Sequence, residues 1–158
     1  MAQHPRADAL RAEIEARLRA GLDSLLTGDV ETWVGMWAEE GGMEFPFAPP
    51  GFPQRLVGRE AVRAHMRAFP QTLHLTRLSA PVLYPTLDPQ VLIVEFSCGG
   101  RAVATGRPYN QRYIAVLEYG EDGRLLNYRD YWNPWVLLEA TGGLDTALES
   151  FRRQDGAR

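Results

Sequence analysis

Apolar residues near the start of the chain recur at intervals of three and four, which is the period of an α-helix. They predict one long amphipathic helix with Asp8 near its start and Gly28 at its end, carrying Leu10, Ile14, Leu18, Leu22, Leu25 and Leu26. Asp29 then predicts the cap of a second helix, which Gly41-Gly42 would end. The apolar stripe of this second helix would consist of Val30, Trp33, Val34 and Trp37.

A third helix is predicted from about Arg59 to Phe69, because the following Pro70 disfavours a helix interior. Its buried face carries Val62, Met66 and Phe69, and His65 lies within the same stripe. Before this helix, residues 43–48 predict a short strand, and residues 49–53 a stiff apolar loop. Such a loop suits a lid over a pocket and a plain surface turn about equally well.

The rest of the chain has the pattern of β-strands, at about 73–84 and 90–98 and in a hairpin of 113–119 and 125–132. Gly99-Gly100 predicts a bulge or a turn, and Glu121-Asp122-Gly123 the hairpin turn. Helices followed by antiparallel strands predict the α+β class, with the N-terminal helices packed on a curved, mostly antiparallel sheet. The resulting cone-shaped α+β barrel would enclose an apolar interior suited to a small molecule.

The return strand of the hairpin holds the most informative side chain, Asp130. With a period of two, its first face would carry Leu126, Tyr128, Asp130 and Trp132, and its other face Leu125, Asn127, Arg129 and Tyr131. A carboxylate between two aromatic residues is partly desolvated, so it needs a partner or a raised pKa. Asp130 is therefore a candidate general base or acid, and an ion pair with Arg112 of the neighbouring strand is the structural alternative.

Length and charge limit the possible classes of protein. At 158 residues, one domain is expected, with its core at about 8–138 and residues 139–158 as a C-terminal helix or tail. The net charge is −3 and no basic run occurs, which argues against a nucleic-acid partner. Membrane-spanning and signal segments are not evident in the sequence, so a cytoplasmic protein is expected.

Several chemistries lack the residues that they require. All 17 basic residues are arginine, which rules out lysine Schiff bases and the phosphate-loop lysine. Cys98 is the single cysteine, and a small buried hydrophobe is favoured for it over a nucleophile. The three histidines show no metal-ligand spacing, so a metal site is not expected. Proton transfer would fall to Asp, Glu, His or Tyr.

Further candidate site residues accompany Asp130. His65 could move protons near neutral pH, or it could be a core histidine. Glu95 interrupts an apolar strand and is either catalytic or a structural anchor, with Arg112 or Tyr113 as its partner; Glu44 is a weaker case. The remaining predicted substrate-binding residues are aromatic, and a core role is the alternative for each: Trp33, Trp37, Tyr109, Tyr113, Tyr128 and Trp132.

The order of several short motifs resembles the SnoaL-like branch of the nuclear-transport-factor-2-like superfamily. The motifs are G-D-x-x-x-W at 28–33, G-R-E-A-V-x-x-H at 58–65, and R-D-Y-W-N at 129–133. The nearest resemblance is to the phenazine-biosynthesis A/B type, where His65 and Asp130 would fall on the active-site histidine and glutamate. The shorter Asp130 is more similar to the catalytic aspartate of the SnoaL-like cyclases.

This resemblance implies a cone-shaped fold and cofactor-independent acid–base chemistry on a small, largely apolar carbonyl or imine compound. Cyclisation, isomerisation or condensation in secondary metabolism would each fit, with Arg112, Tyr109 or Tyr113 stabilising the developing charge. Two alternatives stay open: a non-catalytic ligand-binding or interaction module, and epoxide hydrolysis by Asp130, Arg112 and Glu95. The resemblance also implies a homodimer formed through the outer sheet face, to which Leu117, Leu125 and Tyr131 would contribute.

Overall fold

The computed structural model describes residues 5–143, 145–146 and 149. Its elements are α1 (Pro5–Thr27), α2 (Val30–Val34), β1 (Trp37–Glu44), β2 (Arg55–Leu56), α3 (Arg59–Thr72), β3 (Leu73–Leu78), β4 (Val82–Pro85), β5 (Val91–Ala102), β6 (Pro108–Tyr119), β7 (Leu125–Trp132) and α4 (Pro134–Thr141). The C-terminal helix or tail predicted for 139–158 lies largely outside the described residues. The sequence pattern did not predict α4, whose first turn is capped by the Asn133 side chain.

The strands form one curved, unclosed sheet with the order β2-β1-β7-β6-β5-β3, and β4 also pairs with β5. Every pairing is antiparallel except that of β1 with β7. Helices α1 and α3 contact the sheet, so the predicted α+β class, with helices packed on a mostly antiparallel sheet, is confirmed. Within the described residues, no helix is long and apolar enough to cross a membrane.

Helix α1 forms as its periodicity predicts. Ile14, Leu18 and Leu22 recur every four residues, and all three are buried in the core. Burial of this stripe stabilises the helix more than its intrinsic propensity does. The helix ends at Thr27, before Gly28 with its positive φ of 74°, as the sequence predicts.

The prediction for the second helix is wrong beyond its first turns. Helix α2 ends at Val34, and Trp37 begins strand β1, which continues through Gly41-Gly42. A Cβ atom at Gly41 would lie 2.3 Å from the Leu125 carbonyl oxygen, and one at Gly42 would lie 2.2 Å from that of Leu56. The two glycines therefore permit close approach of neighbouring strands and do not end a helix.

The prediction that the third helix ends before Pro70 is wrong, because α3 continues to Thr72. A proline in the last turn removes only one backbone hydrogen bond, and the buried Thr72 still packs against the core. Similarly, the Gly99-Gly100 pair does not interrupt strand β5, which continues to Ala102. A Cβ at Gly100 would lie 2.0 Å from the His74 carbonyl oxygen of β3, so a glycine is required for this pairing.

A bulge at Leu126 changes the faces predicted for the hairpin. Tyr119 pairs with Leu125 and Glu118 pairs with Asn127, which leaves Leu126 as the extra residue. Leu125 is consequently buried in the core and Leu126 is 42% exposed. From Tyr128 onward the predicted face is kept, because Tyr128 and Asp130 are both buried.

This burial also corrects the predicted outer surface. Leu117 and Leu125 are fully buried in the core, so neither can contribute to a contact on the outer sheet face. Tyr131 lies on the outer face, where its ring contacts that of Phe47. Helical and strand periodicity cannot show a bulge, since one inserted residue exchanges the two faces.

We expect Leu125→Ala to lower the free energy of unfolding by about 2–5 kcal/mol, because it leaves a cavity in the core. The neighbouring Leu126→Ala, which removes an exposed side chain, should change it by no more than about 0.5 kcal/mol. Urea denaturation followed by circular dichroism measures both variants. A larger loss of stability for Leu126→Ala than for Leu125→Ala would contradict the position of the bulge at Leu126.

Candidate active site

A cavity of about 100 Å³ lies between the inner face of the sheet and the helices. One buried water needs about 10–15 Å³ on this scale, so the cavity has room for a small organic molecule. Its walls are mainly apolar and aromatic. They are formed by Leu25, Trp33, Met43, Phe45, Phe52, Pro53, His65, Met66, Phe69, Thr72, Leu73, Leu75, Leu78, Phe96, Cys98, Tyr109, Tyr113, Tyr128, Asp130, Trp132 and Leu137.

Asp130 lies on the inner face of β7 and lines this cavity. It pairs across the sheet with Ala115, whose methyl group offers no hydrogen bond. Its Oδ1 atom is buried and has no hydrogen-bond partner among the described residues. The adjacent Arg129 is on the other face, where it forms an ion pair of 3.1 Å with Glu118. Strand alternation thus separates the carboxylate from the nearest cation in sequence.

Burial raises the pKa of Asp130 from 3.8 to about 8. Desolvation disfavours the charged form, and no cation in the described part of the chain offsets this effect. The predicted structural alternative, an ion pair with Arg112, is wrong: Arg112 is exposed on the outer face, with its guanidinium 3.9 Å from the Glu95 carboxylate. Asp130 is therefore mostly protonated at pH 7, and it can release and regain a proton close to that pH.

His65 projects from α3 into the same cavity, and its ring lies 5.3 Å from that of Phe45. Burial lowers the pKa of His65 from 6.5 to about 4, so the imidazole is neutral at pH 7. This corrects the expectation that His65 titrates near neutral pH. A neutral imidazole still has one donor and one acceptor nitrogen for a bound molecule.

Two tyrosine hydroxyls form a hydrogen-bonded pair in the wall of the cavity. The Tyr109 and Tyr113 oxygens are 2.8 Å apart, and the Cys98 thiol lies 3.9 Å from Tyr113 Oη. Burial raises the pKa of both phenols and of the Cys98 thiol, so all three groups keep their protons. The pair can donate a hydrogen bond to a developing negative charge, but it cannot act as a base at pH 7.

Three predicted substrate-binding residues do not line the cavity. Glu95 and Arg112 lie on the outer face of the sheet, where Glu95 also accepts a hydrogen bond of 3.1 Å from the Tyr84 hydroxyl. Trp37 is fully buried behind Tyr128, with 5.7 Å between the ring centroids. Epoxide hydrolysis by Asp130, Arg112 and Glu95 is excluded, because the sheet separates Asp130 from the other two.

Other predicted residues do meet in the cavity: His65, Trp33, Tyr109, Tyr113, Tyr128, Asp130 and Trp132. Glu44, the weaker candidate, is instead at the end of β1 with its carboxylate 3.9 Å from Arg55. Among the described residues, no group of three or more His, Cys, Asp and Glu side chains could hold a metal ion.

The sequence reasoning missed most of the apolar wall. Phe96 stacks on Tyr113 with 4.8 Å between the ring centroids, and it could have been found from strand alternation in β5. The 49–53 loop contributes the buried Phe52 and Pro53 to the cavity. Gln54 Nε2 donates to the carbonyls of Ala48, Pro49 and Phe52, which ties this loop together. Contacts between such distant segments leave no periodic signal.

Comparison with known proteins gives one family and several relatives. Residues 18–128 match the family model of the SnoaL-like domain. The chain is 46% identical over 126 residues to an uncharacterised PhzA/B-like protein of Pseudomonas aeruginosa, covering 79% of this chain and 87% of that protein. It is 42% identical over 126 residues to an uncharacterised Bacillus subtilis protein, covering 80% and 85% of the two chains.

Among solved structures, the fold is similar to that of a candidate isomerase from Bacillus subtilis. The TM-score is 0.80 and the sequence identity 39%, over 85% of this chain and 96% of that one. The similarity thus extends over most of both chains.

The shifted pKa values of Asp130 and His65 predict how the stability of the protein depends on pH. Because the pKa of Asp130 is raised from 3.8 to about 8, the folded protein holds this proton more tightly than the unfolded chain does. The free energy of unfolding therefore falls as the pH rises between these two values. The lowered pKa of His65, about 4, has the opposite effect between pH 4 and 6.5. The two effects offset each other below pH 6.5, and only the loss due to Asp130 remains above it.

We therefore expect the free energy of unfolding to fall by about 1–2 kcal/mol between pH 6.5 and 8. In Asp130→Asn this fall should disappear, while Glu95→Gln on the outer face should keep it. Urea unfolding of the three proteins across this range measures the effect. The same fall in wild type and Asp130→Asn would assign it to another group.

Proposed function

The chain belongs to the SnoaL-like domain family, and from that premise we propose that it is a cofactor-independent acid–base enzyme. Its substrate would be a small, largely apolar carbonyl or imine compound. The reaction would be of the isomerase or cyclase type, in which a proton is moved beside the carbonyl or imine carbon. Asp130 is the group that takes and returns this proton, and secondary metabolism is the expected context.

One observation carries this proposal: the Asp130 carboxyl is buried in an apolar cavity with no partner for its Oδ1 atom among the described residues. A buried unpaired carboxyl is costly for the fold, so its presence needs a reason beyond stability. A pKa of about 8 supplies that reason, because a general acid or base works best when its pKa lies near the working pH.

The proposed reaction uses the groups of the cavity in turn. Ionised Asp130 removes the proton from the carbon next to the substrate carbonyl, and the electron pair moves to the carbonyl oxygen as an enolate. The paired hydroxyls of Tyr109 and Tyr113 can donate to that oxygen, and the apolar wall keeps water from competing. Where the substrate also has a carbon–carbon double bond in conjugation with this enolate, protonated Asp130 then returns the proton to the far carbon of the dienolate, which moves the double bond and completes an isomerisation.

Neutral His65 supports a second step. Its imidazole can donate one proton and accept another. It can therefore protonate a substrate oxygen, either when that oxygen leaves or when the carbon that carries it closes a ring. The candidate isomerase at 39% identity is consistent with this class of reaction. A purely ligand-binding role would be favoured by an arginine locked onto Asp130, and no arginine among the described residues pairs with Asp130.

The proposal is tested by exchange of carbon-bound protons in deuterated water, with 2-tetralone as a neutral, apolar ketone. We expect wild-type protein to accelerate exchange at the α-carbons and Asp130→Asn to lower the enzymatic rate by about 10²–10⁴-fold. The matched control is Glu95→Gln, the same change on the outer face, which should stay within about twofold. Proton NMR measures the rate, and equal rates for wild type and Asp130→Asn would refute the assigned base.

The same assay has an expected pH profile. If ionised Asp130 is the base, the enzymatic rate should rise about tenfold per pH unit below pH 8 and level off above it. The uncatalysed rate at each pH is subtracted from a sample without protein. A rate that is already level at pH 5 would require a base with an ordinary pKa.

We also propose that two copies of the chain associate through the outer face of the sheet. Apolar side chains are exposed there, with Ile114 of β6 and Val82 of β4 about half exposed. Ile114→Glu should shift the protein toward a monomer, whereas Leu87→Glu in the exposed 86–90 turn should not. Light scattering after size-exclusion chromatography measures the mass. A wild-type monomer at high concentration would contradict this proposal.

A further inference from the structure

In the part of the chain that the structure describes, no arginine side chain lines the cavity. Among the described residues that line it, none is an arginine, although the chain has 17 arginines and no lysine. Described arginines next to the site point away from it, as Arg112 does toward Glu95 and Arg129 toward Glu118. Both lie on strands that contribute to the cavity wall, and in both the alternation of the strand places the guanidinium on the outer face.

The polar groups that do line the cavity are uncharged at neutral pH. Asp130 is mostly protonated, His65 is a neutral imidazole, and Tyr109 and Tyr113 keep their protons. Asp130 is the only Asp or Glu among the described residues of the wall. A bound anion would therefore meet no compensating cation, and it would oppose the ionisation of Asp130 that the reaction needs.

Trp33, which lines the cavity, carries a hydrogen-bond donor that has no acceptor among the described residues. The indole Nε1 of Trp33 is buried and without a hydrogen-bond partner among the described residues, and Trp33 is only 3% exposed. Trp33 packs beside Tyr128 with 5.8 Å between the ring centroids, and Tyr128 precedes Asp130 on the same face of β7. A ligand oxygen needs no charge to accept a hydrogen bond from a donor in this wall, such as the Tyr109–Tyr113 hydroxyl pair or the neutral imidazole of His65.

We propose that the cavity selects uncharged molecules that carry a hydrogen-bond-accepting oxygen, and that it rejects carboxylates and phosphates. This inference shares with the proposed function only the assumption that this cavity is the binding site. It separates this protein from any relative whose substrate is an acid, because recognition of an anion would need a cation in the wall. A neutral aromatic or alicyclic ketone is the chemical class that fits.

Two probes of nearly the same size and shape test the selectivity of the wild-type protein. 2-Acetylnaphthalene is neutral, and 2-naphthoate is an anion at pH 7. Isothermal titration calorimetry at pH 7 should show that the ketone binds at least about tenfold more tightly than the carboxylate. The proposal is overturned if the carboxylate binds as tightly as the ketone, or if neither probe binds.

A variant with an added cation tests the cause of the selectivity. Leu78 lines the cavity at the end of β3 and is half-buried, so an arginine there can reach both the cavity and solvent. Leu78→Arg should raise the affinity for 2-naphthoate relative to that for the ketone at least about tenfold. Leu87→Arg, the same change at a fully exposed position, should alter neither affinity.

A folded Leu78→Arg protein whose affinity for 2-naphthoate relative to that for the ketone is unchanged would overturn the explanation by charge; should that variant not fold, the wild-type comparison still decides. Binding in Asp130→Asn separates selectivity from catalysis. The preference for the ketone should persist in this variant, because the asparagine is also uncharged. A wild-type protein that shows the preference but no proton exchange would refute the proposed function and leave this inference standing.

Discussion

The burial of one carboxyl group, that of Asp130, is the constraint on which the site depends. The group lies on the inner face of β7 opposite Ala115, within a wall of aromatic side chains. Burial without a cation raises its pKa to about 8, which destabilises the fold at alkaline pH and makes proton transfer near neutral pH possible. The same property that costs stability thus supports the proposed chemistry.

The charged side chains of the central strands and the side chains of the candidate site lie on opposite faces of the sheet. Along β6, Tyr109 and Tyr113 point inward, whereas Arg112 points outward to Glu95. An arginine on the inner face would lower the pKa of Asp130 and leave it permanently ionised. Glycines and a bulge maintain this arrangement. Gly41, Gly42 and Gly100 let neighbouring strands approach closely, and Leu126 is the one extra residue of the bulge in β7. The neutral cavity is therefore a consequence of strand register.

Much of the candidate site could be predicted from the sequence. Period-two alternation placed Tyr128, Asp130 and Trp132 on one face, and helical spacing placed His65 on the inner face of α3. The proposed partnership of Glu95 and Arg112 is also present, but on the outer face, where it forms a surface ion pair. Local pattern identifies which side chains share a face, but it cannot say which face encloses the cavity.

The sequence by itself determined the α+β class, most helices and strands, and Asp130 as the side chain to examine, because these follow from periodicity and from a charge in an aromatic setting. Only the tertiary structure decided the end of α2, the path of β1 through Gly41-Gly42, the bulge at Leu126 and the neutral state of His65. These depend on contacts between segments far apart in the chain. Burial, strand approach and pKa are set by such neighbours, and no local pattern records them.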